Sequence, residues 1–343
     1  LVLCKREKMR SALFGSVKSY VVLFLLGAWV ASAPPATAQP QPLTGWFTFI
    51  VADYPSEAGL TSETTYFLTE DSGERYELLI DVKLIRPLGG PVALNRQRVT
   101  VVGEWEQSEP DGPAPFRVSS IELAAAPSSA LPGASPDEPA PLASPLRTAV
   151  TGSQAWVTIL CRFADATHIT PHPVSHYEKL MGMAYPGLGH YWNEVSDGNI
   201  SDLAGSRVVG WHNLPQPRSY YLSINERGIE DFRLDRAVED CTAVADATVF
   251  FPDFDGINLV FNHSDADRAW SRGGSRRLTL DGQPRFWGVT WIHPSHAEDN
   301  YHGIVAHEMG HAFGLMHSSG PYGRDDPISR SGLKNLSDKV EWG

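Results

Sequence analysis

The sequence predicts an α+β chain in two parts: a small all-β barrel over residues 39–123, then a domain over residues 148–343 that combines a twisted mixed sheet with one histidine-bearing helix. Three observations predict it. Five short runs rich in β-branched and aromatic residues crowd into residues 43–123. An Ala/Pro/Ser-rich stretch, 124–147, follows them with no apolar period. Beyond it, strand-like and helix-like patterns mix up to the histidines of residues 307–317. A length of 343 residues suits about two domains at roughly 150 residues each.

The five runs are GWFTFIVADY, TTYFLTE, YELLIDV, RVTVVGEW and FRVSSIEL, separated by Pro, Gly and Asp clusters. Five strands in about 80 residues suit a small barrel. The OB-fold is the leading candidate, and a small sandwich also fits. Such a unit could dock a ligand or substrate, or serve only as a structural or processing appendage. Residues 124–147 have the composition of an extended, semi-rigid linker, which makes them the expected domain boundary.

Residues 1–38 carry the pattern of a signal peptide whose start is Met9: a basic stretch ending at Lys18, an apolar run from Tyr20 to Ala31, and two A-x-A sites, with cleavage expected after Ala38. An uncleaved anchor is the alternative, opposed by the shortness of the run and by Pro34 and Pro35. Export would make the protein secreted or extracytoplasmic, with membrane contact only in transit. The net charge is −12, and about −16 without the basic leader. Acidity of that size excludes nucleic acid as the main partner, since phosphate binding needs a basic footprint. Export would also leave Cys161 and Cys241 as a pair in an oxidising compartment, either bridged or as two buried thiols.

After the linker, 156–163 reads as a buried strand, VSHYEKLMG and LGHYWNEVS as short helices, and SRVVGWHNL as a strand. Residues 226–246 have helical spacing through Ile229, Phe232, Ala237, Val238 and Cys241. INLVFN and FWGVTWI are further apolar runs, and the pair Gly273 and Gly274 between them signals a turn. Asp299 or Asn300 can cap a last helix over 301–313, its buried face formed by Val305, Met309, Ala312 and Phe313.

That helix carries the chemistry. His307 and His311 are one turn apart, so both imidazoles can reach one metal ion. Catalytic zinc takes three protein ligands and keeps a fourth position for water. Gly314 can take a positive φ, end the helix and return His317 toward the metal. Glu308 lies about 100° round the helix from His307, where it can take a proton from water as general base and pass it to a leaving amine. Together these residues spell HEMGHAFGLMH, a spacing that chance would produce on the order of once in 10⁴ such chains. The expected cofactor is one catalytic Zn²⁺, and the expected partner a protein or peptide substrate.

The motif resembles that of the metzincin zinc metallopeptidases. The resemblance implies His307, His311 and His317 as zinc ligands, Glu308 as catalytic base and Gly314 as the turn, hence a secreted endopeptidase. Residues 185–214 are similar to the aromatic helix, Ser-x-Gly turn and Gly-Trp strand of gametolysin and immune inhibitor A-type peptidases, and a third histidine rather than an aspartate favours gametolysin. The chain departs from the family in its methionine turn: Met316 is the last methionine, and the polar segment after it implies a C-terminally truncated metzincin-like domain. The rival expectations are an inactive zinc-binding remnant and a binding protein acting through its N-terminal β-domain.

Other residues carry weaker signals. His168, His172 and His176 are expected in an exposed loop because Pro171 and Pro173 interrupt any helix. His293 and His296 could line the cleft, with a solvated loop as the default. Asp253, Asp255, Asp265 and Asp267 could take calcium, yet none sits in a full twelve-residue loop. No cysteine between Ala38 and residue 148 could hold the zinc latent through a thiol.

Overall fold

A computed structural model describes residues 40–56, 59–106, 114–125, 150–224, 230–263, 271–297 and 302–317. The expected leader, most of the expected linker, the cap residues Asp299 and Asn300, and everything after His317 lie outside the described residues. So do Asp265 and Asp267. No helix among the described residues is long and apolar enough to cross a membrane.

The five N-terminal runs are strands: β1 (Gln41–Ser56), β2 (Gly59–Thr69), β3 (Arg75–Leu79), β4 (Arg98–Trp105) and β5 (Phe116–Leu123). Their pairings close a ring, β1–β2–β3–β5–β4–β1, in which only β3 and β5 run parallel. Phe47, Leu68, Leu78, Val99, Val101 and Phe116 fill it. Two short helices, α1 (Val82–Ile85) and α2 (Gly90–Leu94), bridge β3 and β4 and add Ile85 and Leu94 to that filling. Neither was expected from sequence, because Pro87, Pro91 and the glycine pair between them leave no helical period to detect.

The rest of the chain supplies β6 (Gly152–Ser153), β7 (Trp156–Arg162), α3 (Val174–Leu180), α4 (Leu188–Val195), β8 (Ile200–Asp202), β9 (Arg207–Asn213), α5 (Arg218–Tyr221), β10 (Leu222–Ile224), β11 (Glu230–Phe232), α6 (Leu234–Ala245), β12 (Gly256–Phe261), β13 (Ser271–Leu280), β14 (Gln283–Ile292) and α7 (His302–Ala312). Five of these strands form a mixed sheet in the order β13-β14-β12-β7-β9, parallel except for β13. Alternating residues of β7 and β12 face opposite sides. Ile159, Cys161, Ile257 and Leu259 meet α6, whereas Trp156, Leu160 and Val260 meet the layer of α3, α4 and α7. Cys161 and Cys241 are disulfide-bonded, with Cα atoms 6.3 Å apart, which ties α6 to the sheet.

The N-terminal ring and this sheet are continuous. Residues 50–53 of β1 pair antiparallel with residues 271–274 of β13, so one ten-stranded sheet runs through both expected domains, and the described residues gather as one compact unit. The length of β1 is the reason: its first residues pair with β4 and its later ones with β2, which leaves one edge of residues 50–53 free to meet β13. Ile50 and Phe67 enter the same core as Val157 and Trp291. Arg75 and Arg276 both bind Asp235, and Arg96 donates to Ser275 Oγ at 2.7 Å.

Two expectations are corrected here. The helix expected over 226–246 begins only at Leu234, and Phe232 belongs to β11, paired with Leu222. Gly273 and Gly274 form no turn but lie inside β13. They are glycines because two backbones approach closely there. A Cβ on Gly273 would fall 2.0 Å from the Glu308 carbonyl oxygen of α7, and one on Gly274 would fall 2.5 Å from the Phe49 carbonyl oxygen of β1. Gly273→Ala is therefore expected to lift α7 and cost about 1–3 kcal/mol, as overpacking does. Urea denaturation measures it, and an unchanged midpoint would show that the helix has room.

Candidate metal centre

Helix α7 follows β14 and seats Val305, Met309, Ala312 and Phe313 against the sheet, all buried as the spacing predicts. Its end is a Schellman motif: the Leu315 amide donates to the Gly310 carbonyl at 2.9 Å, and the Gly314 amide to the His311 carbonyl at 2.8 Å. Gly314 takes φ 88°, the left-handed conformation this motif requires. The reversal carries His317 back to the helix.

Three imidazoles meet as a result. His307 Nε2 lies 3.1 Å from His311 Nε2 and 3.1 Å from His317 Nε2. The His311 Nδ1–H donates to the Leu315 carbonyl at 2.9 Å, which leaves Nε2 as a lone pair facing the cluster. Burial pulls the His311 pKa down to about 4, more than the neighbouring Asp53 opposes, so the ring is neutral at pH 7 and able to ligate.

A fourth donor comes from the opposite end of the sequence. Asp53 of β1 places Oδ2 at 2.8, 3.4 and 3.3 Å from Nε2 of His307, His311 and His317, and its Oδ1 accepts from Ser62 Oγ at 2.6 Å. These four residues are a group that could hold a metal ion. Burial alone would push the Asp53 pKa up, but the contacts with the surrounding imidazoles, His307 foremost, outweigh it and hold the carboxyl well below its ordinary range. Sequence reasoning missed Asp53. A signal existed: Phe47, Phe49 and Val51 share one fully buried face of β1, and Asp53 continues it, a place where a carboxylate needs a compensating partner.

Glu308 is 1% exposed, and its Oε2 has no hydrogen-bond partner. Burial, followed by the negative charge of Asp53, pushes its pKa well above the usual carboxylate range, while Arg272 opposes the shift. A buried carboxyl group with a raised pKa and an unpartnered oxygen, on the same helix as residues that could hold a metal ion, has the marks of a candidate functional acid.

The remaining histidines stand apart from this group. His172 and His176 stack on each other with ring centroids 4.1 Å apart, and His176 Nε2 meets the Ala297 carbonyl at 2.6 Å. His176 lies on α3 rather than in a loop, because Pro173 stands just before the helix, where proline is tolerated. His168 is exposed. His293 is buried rather than solvated, and burial pulls its pKa down to about 3 and that of His296 to about 4. Asp255 accepts from the Ala155 amide at 3.1 Å and pairs with Arg285, which gives it a structural role.

No protein-family model and no curated protein matches the chain. Alanine at His307, His311 or His317 is expected to weaken metal binding by more than the roughly 10–100-fold that loss of an outer-shell partner costs. Competition against a chromophoric chelator measures it. Retention of one tight equivalent in all three variants would remove these histidines as ligands.

Proposed function

We propose that the protein is an exported zinc-dependent endopeptidase of metzincin type. The observation that carries this reading is the convergence of three imidazole nitrogens, on the helix that also carries a buried Glu308 with one unpartnered carboxyl oxygen. Zinc fits the donors. Zn–N bonds of about 2.0–2.1 Å in a tetrahedron place neighbouring donor atoms about 3.3 Å apart, and the measured separations of 2.8–3.4 Å bracket that value. Imidazole and carboxylate are both ordinary zinc donors.

Zinc bound there would polarise a peptide carbonyl and acidify a water. The chain supplies the rest. His307, His311 and His317 hold the ion, and the Leu315 carbonyl fixes the tautomer of His311. Glu308 accepts the proton of the attacking water and returns it to the amine as the C–N bond breaks. Its burial raises its basicity for that task. The Cys161–Cys241 disulfide supports export, since such bonds persist in oxidising compartments. The five-stranded ring, with helices between β3 and β4, supports an OB-like barrel for residues 41–123.

Quenched fluorescent peptides and casein, incubated with the zinc-loaded chain with and without chelator, test this reading beside Glu308→Ala. Cleavage should be chelator-sensitive and fall at least ~10²-fold in the variant, the scale of a lost general base, with zinc content unchanged. Cleavage that survives Glu308→Ala would end the assignment of Glu308. A second reading has one observation of its own: four protein donors make a closed site, as in structural zinc centres. Under it the chain binds zinc tightly and cleaves nothing.

A further inference from the structure

We propose that Arg96, in the turn between α2 and β4 of the N-terminal ring, is a positioning residue for the third histidine of the metal centre: it caps the carbonyl end of α7 where the chain turns toward His317. The inference needs only that the centre holds a metal, which the peptidase and closed-site readings share.

Three elements meet at this point. Ser275 of β13 pairs with Gly288 of β14, and Ala312 of α7 lies against that glycine: a Cβ on Gly288 would fall 3.1 Å from the Ala312 Cβ and 3.2 Å from its carbonyl oxygen. The Arg96 guanidinium spans the same place. Its Nε–H donates to Ser275 Oγ at 2.7 Å, and an Nη2–H donates to the Ala312 carbonyl at 3.4 Å. The last carbonyls of a helix have no partner within it, and a cation there also faces the negative end of the helix dipole. Arg96 answers both needs from a position 216 residues away.

The backbone beneath Arg96 is fixed and strained. Its amide donates to the Phe47 carbonyl of β1 at 2.8 Å, and the Gln97 amide donates to the Leu94 carbonyl at 2.9 Å. Arg96 takes φ 65°, a left-handed conformation that glycine adopts without strain. A long cationic side chain kept at such a position points to a role for the side chain, and the end of α7 is what it reaches. Arg96, Trp156, Ala312 and Phe313 also border a cavity of about 90 Å³. On that side the helix end is therefore held by hydrogen bonding rather than by filled packing. Gly314 and His317 follow within five residues, so a shift of the Ala312 carbonyl carries the turn and the third imidazole with it. Arg96 thus acts on a ligand that it does not touch, as outer-shell groups of metal sites do.

The test is the zinc affinity of the full chain, by competition against a chromophoric chelator, for Arg96→Gly, Arg96→Met and Arg96→Lys, each alone and combined with His317→Ala. Glycine relaxes the left-handed backbone while removing the guanidinium, so Arg96→Gly should stay folded even where Arg96→Met does not, and circular dichroism melting reports this. Arg96→Gly and Arg96→Met should bind zinc at least about 10-fold more weakly, the scale of a lost outer-shell partner. Arg96→Lys, with one ammonium in place of the fork, should fall between them and wild type. In the His317→Ala background the same changes should alter affinity by less than about twofold, because the ligand through which they act is gone. The visible spectrum of the cobalt(II)-loaded Arg96→Gly chain should differ from that of wild type, which a loss of stability alone would not produce. An equal fold-loss in both backgrounds, wild-type affinity and cobalt spectrum in Arg96→Gly, or unfolding of Arg96→Gly would overturn the proposal and leave the three histidines as ligands. A wild-type chain that binds no zinc would overturn it together with the metal centre.

Discussion

The carboxylate of Asp53 lies among three imidazoles, and the chain on both sides is organised around that contact. An isolated carboxylate inside a protein is costly, and so is a ring nitrogen lone pair buried without a partner. Carboxylate oxygen and lone pair are both acceptors, so only positive charge between them, as ring N–H protons or as a cation, satisfies the group. The arrangement therefore needs both ends of the sequence: β1 to bring the acid and α7 with its glycine turn to bring the bases.

The backbone meets that need by close approach. Glycine at 273 lets α7 lie almost on β13, and glycine at 274 lets β1 pair along the other side of the same strand. β13 thus becomes the rail on which Asp53 of β1 and the histidines of α7 are aligned. Its position also explains the continuous ten-stranded sheet. A sixteen-residue β1 has length for both the ring and the rail, so the ring cannot sit apart from the sheet while those pairings last.

Glu308 shows how burial and role coincide. Its helix turn points it away from the ligand face, its carbonyl rests on Gly273, and its carboxyl group is cut off from solvent and left with an unpartnered oxygen. A structural carboxyl usually finds partners for both oxygens. One oxygen left without a partner, near a second buried acid, is what the proposed proton carrier needs.

Much of this was legible in the sequence because it depends on local spacing. The turn of an α-helix puts His307 above His311, glycine is the residue that adopts φ 88° at 314, and β-branched and aromatic residues between turn clusters mark the five N-terminal strands. The helix start at Leu234 was not legible, because Phe232 happens to fall in phase with a helix while belonging to β11. The glycine pair at 273 and 274 misled for a related reason: glycine marks both turns and close contacts, and only the neighbour's position tells which. Asp53 shows the limit most clearly. From one sequence alone, its place on a buried strand face shows that it must have a partner, but the partner lies 254 residues away. Local chemistry along the chain determined the three histidines, their glycine turn and the glutamate between them. Only the pairing of β1 with β13, a long-range contact with no local signature, decided that an acid completes the site.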